Sequence, residues 1–73
     1  MFSLLCVEDS QEYQLLIASA LSGSNLTFAS TLKEARESVN SRNTYFDMIL
    51  LDLELPDGHG IKFLSELKML PQW

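Results

Sequence analysis

Apolar residues fall along the chain in two kinds of pattern, and the two kinds alternate. Residues 2–7 and 46–53 are short, largely apolar runs typical of strands covered on both faces, and residues 26–29 form a weaker run of the same kind. After each run, apolar residues recur three or four positions apart, which predicts an amphipathic helix. The helical positions are Tyr13, Leu16, Ile17, Ala20 and Leu21 in the first helix, Leu32, Ala35 and Val39 in the second, and Ile61, Phe63, Leu64, Leu67 and Leu70 in the third.

Polar residues mark the predicted ends of these helices. Asp9 matches a helix N-cap, and Glu12 follows it three residues later in the relation of a capping box. Thr31 and Glu34 repeat that relation before the second helix. Pro71 is expected to end the third helix, because proline cannot continue the helical hydrogen bonding.

The predicted element order, β-α-β-α-β-α, indicates an α/β fold. Strands that alternate with helices form a parallel sheet with right-handed crossovers. Because the second strand has the weakest pattern, we place it at an edge, which gives a three-stranded parallel sheet in the order 2-1-3 with flanking helices. The chain then reverses its winding direction between the first and third strands. A ligand crevice is expected outside the carboxyl ends of those two strands.

Composition narrows the class of protein. The chain has 73 residues, of which 47% are hydrophobic and 21% charged, as expected for one small globular domain. Its net charge of −5 argues against binding to nucleic acid and against attraction to an anionic membrane surface. No apolar stretch approaches the roughly 20 residues that span a bilayer, and no signal peptide is recognisable. Cys6 is the single cysteine, and a cytoplasmic location is expected.

Three carboxylates converge on the predicted crevice. Glu8 and Asp9 follow the first strand, and Asp52 lies near the end of the third apolar run. Neighbouring strands are roughly 4.8 Å apart, so these charges would repel one another unless a cation lies between them. Mg²⁺ suits such a site, because it binds a few carboxylates together with water and phosphate oxygens. Each residue also has a simpler interpretation: Asp9 as a helix cap only, Glu8 as a surface acid, and Asp52 as a strand-end acid bonded to a neighbouring amide.

The residues after Asp52 are most simply interpreted as a turn. Pro56, Asp57, Gly58 and Gly60 are typical turn residues, and the sequence gives them no further role. The side chains of Glu54 and His59 are expected to be exposed to solvent.

Together these motifs resemble the N-terminal part of a response-regulator receiver domain of two-component signalling. The acidic pair Glu8-Asp9 follows the first strand, and the spacing Asp-x-x-x-Pro-x-x-x-Gly runs from Asp52 to Gly60. Asp52 lies 43 residues after Asp9, as that family's pattern requires. The resemblance covers essentially the whole chain and implies a truncated flavodoxin-like receiver fold.

The resemblance implies a role for each acidic residue. Asp52 would accept a phosphoryl group from a phosphohistidine on a sensor histidine kinase or a phosphotransfer protein, forming an acyl phosphate. Glu8, Asp9 and Asp52 would bind Mg²⁺ together with the backbone carbonyl of Glu54. The cation would neutralise charge on the transferred oxygens. Such a domain is a phosphoacceptor and signalling switch, and we do not expect it to turn over a substrate as an enzyme.

The pattern departs from the family after the third helix. Receiver domains usually contain five strands and five helices, with a Ser or Thr ending the fourth strand and a Lys ending the fifth. Residues 1–73 are therefore expected to form a partial receiver domain whose phosphoryl acceptance could be impaired. In the order 2-1-3 the third strand is an edge, Met48-Ile49-Leu50-Leu51, with no Lys or Pro to protect it. We expect that edge to pair with missing C-terminal strands or with a second copy in a homodimer.

Two other functions remain open from the sequence. One is a non-catalytic interaction or dimerisation module derived from a receiver, in which the acids are inherited and the edge or a helix face binds. The other is an aspartyl-nucleophile phosphatase of the haloacid dehalogenase type, because Asp52 and Glu54 follow an apolar strand at that family's spacing. The sequence Leu55-Pro56 does not match the turn of those enzymes.

Overall fold

A computed structural model describes residues 2–41 and 45–70. The elements follow the predicted alternation, with one hairpin added before the last helix. The predicted end of the third helix at Pro71 lies outside the described residues. In chain order the elements are β1 (Ser3–Val7), α1 (Gln11–Ala20), β2 (Asn25–Ala29), α2 (Leu32–Asn40), β3 (Met48–Leu51), β4 (Glu54–Leu55), β5 (Gly58–His59) and α3 (Gly60–Leu67).

The sheet has the predicted topology. β1 lies between β2 and β3 and pairs with both in parallel, which gives the order β2-β1-β3. In this register Leu5 lies beside Thr27 of β2 and Ile49 of β3. The prediction that the second strand is an edge is therefore confirmed, and so is the α/β fold class.

The hydrophobic core lies between the sheet and the helices α2 and α3. Leu5 and Val7 of β1 point to this side, and Phe63, 1% exposed, packs there from α3. From α2, the three predicted apolar positions are buried, because their spacing places them on one face. The remaining members of the core are Ala29, Leu32, Ala35, Val39, Phe46 and Leu67.

The first helix differs from its prediction. Its apolar stripe is not buried: Tyr13 is 59% and Leu16 63% exposed, and every residue of α1 is at least partly exposed. With the order β2-β1-β3, right-handed crossovers place α1 on the opposite face of the sheet from α2. In the part of the chain that the structure describes, α1 is the helix of that face, and it covers only part of the three strands.

The two predicted helix caps have different outcomes. Ser10, and not Asp9, is the N-cap of α1, and its side chain accepts a hydrogen bond from the backbone N–H of Tyr13 at 3.3 Å. The capping box of Asp9 with Glu12 was therefore wrong by one residue. Thr31 caps α2 as predicted, because its hydroxyl accepts from the backbone N–H of Glu34 at 3.1 Å.

The segment after β3 forms a hairpin and not a simple turn. β4 and β5 pair antiparallel, with Glu54 opposite His59 and Leu55 opposite Gly58, so Pro56 and Asp57 form its two-residue tip. The predicted strand from residue 46 to residue 53 is shorter at both ends: β3 begins at Met48, and Asp52 and Leu53 after it lead into the hairpin.

β3 forms the other edge of the three-stranded sheet. Met48 is 46% exposed, and the three residues that follow it are half-buried. The prediction that this strand is covered on both faces is therefore wrong for the described residues, whereas β1 is buried from Leu4 to Val7. None of the helices in the described ranges is long and apolar enough to cross a bilayer.

Candidate metal and phosphoacceptor site

Three carboxylates meet where β1 and β3 end. Val7 and Leu51 are neighbours in the register, and the N–H of Asp52 donates to the carbonyl of Val7 at 3.0 Å. The N–H of Glu8 donates to Ala29 of β2 at 2.9 Å, which fixes the start of the acidic pair. The parallel register therefore brings the first residues after both strands to the same rim.

The carboxylate oxygens are close enough to share one cation. One oxygen each from Glu8, Asp9 and Asp52 lies within 4.8 Å of the other two. Because Ser10 takes the helix cap, the carboxylate of Asp9 is not committed to the end of α1. Three hard oxygen donors at this spacing suit Mg²⁺, which prefers carboxylates and completes its shell with water.

The surroundings of Glu8 disfavour its ionised form. Partial burial, then contact with the Asp52 carboxylate and the negative charges of Asp52 and Asp9, raises the pKa of Glu8 above its usual value near 4.5. The N–H of Asp9, which donates to Glu8 Oε2 at 3.1 Å, opposes that rise. In the described residues no lysine or arginine forms an ion pair with these carboxylates, so the negative charge is open to a cation.

Hydrogen bonds hold the main chain around the cluster. The N–H of Glu54 donates to Asp52 Oδ1 at 3.3 Å, which ties the carboxylate to the start of β4. On the other side, Gln14 Nε2 donates to the carbonyl of Glu8 at 2.6 Å and so connects α1 to the acidic pair. The side chain of Glu54 is exposed, as predicted.

Position 60 requires a glycine because the backbone of Asp52 and Leu53 passes close to it. A Cβ at this position would lie 2.5 Å from the carbonyl oxygen of Asp52 and 3.0 Å from Cα of Leu53. The N–H of Gly60 donates to the carbonyl of Leu53 at 2.7 Å, which closes the base of the β4–β5 hairpin. The glycine that ends the Asp-x-x-x-Pro-x-x-x-Gly spacing therefore lets α3 start directly against the residue that carries the candidate nucleophile.

An apolar groove of about 320 Å³ runs up to the carboxylates on the α1 side of the sheet. Cys6, Ile17 and Leu50 line it, and Glu8 and Asp52 stand at its polar end. Cys6 is fully buried, and burial raises the pKa of its thiol, so it acts as a core residue.

Sequence reasoning missed hydrogen bonds that Asp57 and His59 of the hairpin segment make to the helices α2 and α3. Asp57, interpreted as a turn residue, accepts hydrogen bonds from two backbone N–H groups of α2. His59, predicted to be merely exposed, is exposed but also caps α3, with Nδ1 accepting from the N–H of Ile61 at 3.3 Å. The Pro-Asp-Gly tripeptide signals a turn, but nothing in it signals a partner 25 residues away.

Comparisons with known proteins agree with this geometry. The family model described as "Response regulator receiver domain" matches residues 4–73. The KDP operon transcriptional regulatory protein KdpE of Escherichia coli (strain K12) is 37% identical over 75 residues, covering 100% of this chain and 31% of KdpE. The chain thus spans about a third of that curated relative.

Two solved structures are similar throughout the chain. The non-phosphorylated receiver domain of HemR from Leptospira biflexa superposes with a TM-score of 0.84 at 27% identity, covering 99% of this chain and 58% of HemR's. The MaeR response regulator bound to beryllium trifluoride gives a TM-score of 0.85 at 30% identity, covering 94% of this chain and 58% of MaeR's.

An open parallel sheet with an acidic cluster at its switch point defines the class of protein as a receiver-like α/β domain. The chain belongs to the response regulator receiver domain family. Membership associates it with two-component signalling.

Proposed function

We propose that the chain is a phosphoacceptor in which Asp52 takes a phosphoryl group while Glu8, Asp9 and Asp52 hold Mg²⁺. The observation that carries the proposal is the meeting of three carboxylates within 4.8 Å at the carboxyl ends of β1 and β3. The backbone carbonyl of Glu54, at the start of β4, is proposed as a further ligand. The donor is a sensor histidine kinase or a phosphotransfer protein, and the setting is the cytoplasm.

The proposed reaction uses Asp52 as the nucleophile. One of its carboxylate oxygens attacks the phosphorus of a phosphohistidine; the new O–P bond forms as the P–N bond breaks, and the imidazole leaves with the electron pair. The N–H of Glu54, 3.3 Å from Oδ1, orients the carboxylate for this attack. A bound Mg²⁺ would neutralise negative charge on the phosphoryl oxygens.

The electrostatics of the three carboxylates favours a cation between them. The raised pKa of Glu8 reflects burial and two neighbouring negative charges, all of which penalise its ionised form. A divalent cation reverses the effect of the neighbouring charges, because each carboxylate then faces a positive ion. Asp9 contributes its carboxylate from the loop before α1, where Ser10 already caps the helix.

A labelling experiment tests the nucleophile. The chain is incubated with Mg²⁺ and a small acyl phosphate, or with beryllofluoride, and the adduct is located by mass spectrometry or NMR. The MaeR relative bound to beryllium trifluoride supports the choice of that probe. We expect an adduct on Asp52 that is lost in Asp52→Asn. The control Asp47→Asn should keep it, because Asp47 lies at the opposite end of β3, where its Oδ2 accepts from the N–H of Ser3.

Other results would favour the alternatives. An unmodified wild-type chain, or one labelled equally well in Asp52→Asn, would contradict the phosphoacceptor role. Steady turnover of an added phosphomonoester would favour an aspartyl-nucleophile phosphatase. If the chain shows no Mg²⁺ binding and no labelling, the results would favour the non-catalytic interaction module.

We also propose that residues 1–73 supply the β1-to-α3 part of a receiver and that the β3 edge pairs with another strand. When residues 1–73 are present alone, the strand that pairs with β3 comes from a second copy of the chain, and a homodimer forms. Met48 is 46% exposed, and the rest of β3 is half-buried and apolar, with no charged residue within the strand. Such an edge favours strand pairing, which sedimentation velocity at micromolar concentration measures.

A further inference from the structure

Asp57 connects two parts of the fold that are distant in sequence. It lies at the tip of the β4–β5 hairpin, and its carboxylate reaches the first turn of α2. Oδ1 accepts from the N–H of Leu32 at 2.8 Å, and Oδ2 accepts from the N–H of Lys33 at 3.0 Å. Those N–H groups have no acceptor within the helix, because they belong to its first turn. Both oxygens of one carboxylate therefore hold the hairpin against α2.

Packing at the tip reinforces these hydrogen bonds. Gly58 follows Asp57 with φ of +151°, and a Cβ there would lie 2.9 Å from Cδ1 of Leu32. Leu32 is 1% exposed, so the tip rests on a side chain that is itself fixed in the core. The two bonds to Asp57 hold the pKa of its carboxyl below the usual value near 3.8, so it is ionised at neutral pH.

The start of α2 has a cap of its own. The hydroxyl of Thr31 accepts from the N–H of Glu34, and Glu34 Oε1 accepts from the N–H of Ser30 at 2.7 Å. Thr31 thus stabilises the same helix end without contributing a bond to the hairpin. Asp57 differs from Thr31 because its hydrogen bonds also hold the hairpin in position.

The base of that hairpin lies at the candidate site. β4 begins two residues after Asp52, whose Oδ1 accepts from the N–H of Glu54, and the N–H of Gly60 closes the base on Leu53. A hairpin of two-residue strands has little pairing of its own to hold it in place. Its tip is fixed by α2 and its base carries the carbonyl of Glu54.

We propose that Asp57 is a positioning residue: by clamping the β4–β5 hairpin to α2, it holds the Glu54 carbonyl and the Asp52 carboxylate in place for a divalent cation. This inference rests on the proposed function. It assigns to a residue outside the carboxylate cluster an effect on how tightly the cluster binds its ion.

The test compares Asp57→Ala and Asp57→Asn with the matched control Thr31→Ala. Mg²⁺ affinity is measured by isothermal titration calorimetry, and the exchange of the Gly60 amide is measured by NMR without Mg²⁺. We expect Asp57→Ala to weaken Mg²⁺ binding by about tenfold, as the loss of a supporting contact around metal ligands does. The exchange of the Gly60 amide should also become severalfold faster. Asp57→Asn keeps one acceptor oxygen, for the N–H of Leu32. Its Mg²⁺ affinity and its Gly60 exchange rate should lie between those of Asp57→Ala and the wild type.

Thr31→Ala should lower the melting temperature yet leave both readouts unchanged. Equal Mg²⁺ affinity and equal Gly60 exchange in the wild type and both Asp57 variants would overturn the inference and reduce Asp57 to a helix cap. If the wild type binds no Mg²⁺ but Gly60 exchange still rises only in the Asp57 variants, the clamp stands and the proposed metal site fails. The amide readout therefore separates the two failures.

Discussion

At the scale of single residues, the acidic cluster places function in opposition to stability. Glu8 is held next to Asp52 and Asp9, and its pKa is raised by burial and by their negative charges. A fold selected for stability alone would not collect like charges at one rim, since each added charge disfavours the ionised form of its neighbours. Electrostatic repulsion of this kind is common at functional sites.

The raised pKa of Glu8 predicts a pH dependence of stability. A carboxyl group whose pKa is higher in the folded than in the unfolded chain stabilises the fold below its usual pKa, near 4.5, and that contribution is lost as the pH rises through the folded value. In chelator, Glu8→Gln should therefore gain stability relative to the wild type as the pH is raised from 4 towards neutrality. Urea denaturation at a series of pH values measures this difference, and a difference that stays constant with pH would contradict the assignment.

The three carboxylates could be found from the sequence, and the residues that support them could not. Glu8, Asp9 and Asp52 each follow an apolar strand, so the sheet topology alone brings them together. Ser10 and Asp9 are both good N-caps, and the local pattern does not decide between neighbours. The role of Asp57 depends on hydrogen bonds to α2 across 24 and 25 residues, which no local pattern encodes.

At the scale of elements, burial depends on what each element faces. The stripe of α2 is buried against the sheet and α3, with an ion pair between Arg36 and Glu66 at 2.8 Å across the two helices. The equally regular stripe of α1 stays exposed at Tyr13 and Leu16, because the described part of the chain supplies nothing to cover it. Periodicity thus predicted the helices correctly but could not predict how fully each is covered.

The β3 edge gives a prediction at this scale. If β3 pairs with β3 of a second copy, Met48→Lys should shift the chain towards the monomer in sedimentation velocity, because a lysine on an edge strand opposes pairing. Tyr45→Lys is the matched control, since Tyr45 is 75% exposed, lies outside β3 and gains the same charge. A monomeric wild type, or two variants that dissociate equally, would show that β3 does not form the interface.

At the scale of the whole molecule, the order of strands is what creates the site. With β1 between β2 and β3, the helices α1 and α2 leave on opposite faces, and a crevice opens at the ends of β1 and β3. That topology followed from the alternation of apolar runs and helical stripes and from the weakness of the second strand. The hairpin between β3 and α3 did not follow from it, because strands of two residues have no periodicity to read.

Thermal denaturation of the wild type and Asp52→Asn, at one protein concentration with chelator and with Mg²⁺, tests the central claim that three carboxylates form one cation site. With chelator, Asp52→Asn should melt at the higher temperature, since it removes one of the repelling charges. Mg²⁺ at about ten times its Kd should raise the melting temperature of the wild type by roughly 5–10 °C and that of the variant by much less. Equal shifts in the two proteins, or no shift in the wild type, would contradict the claim.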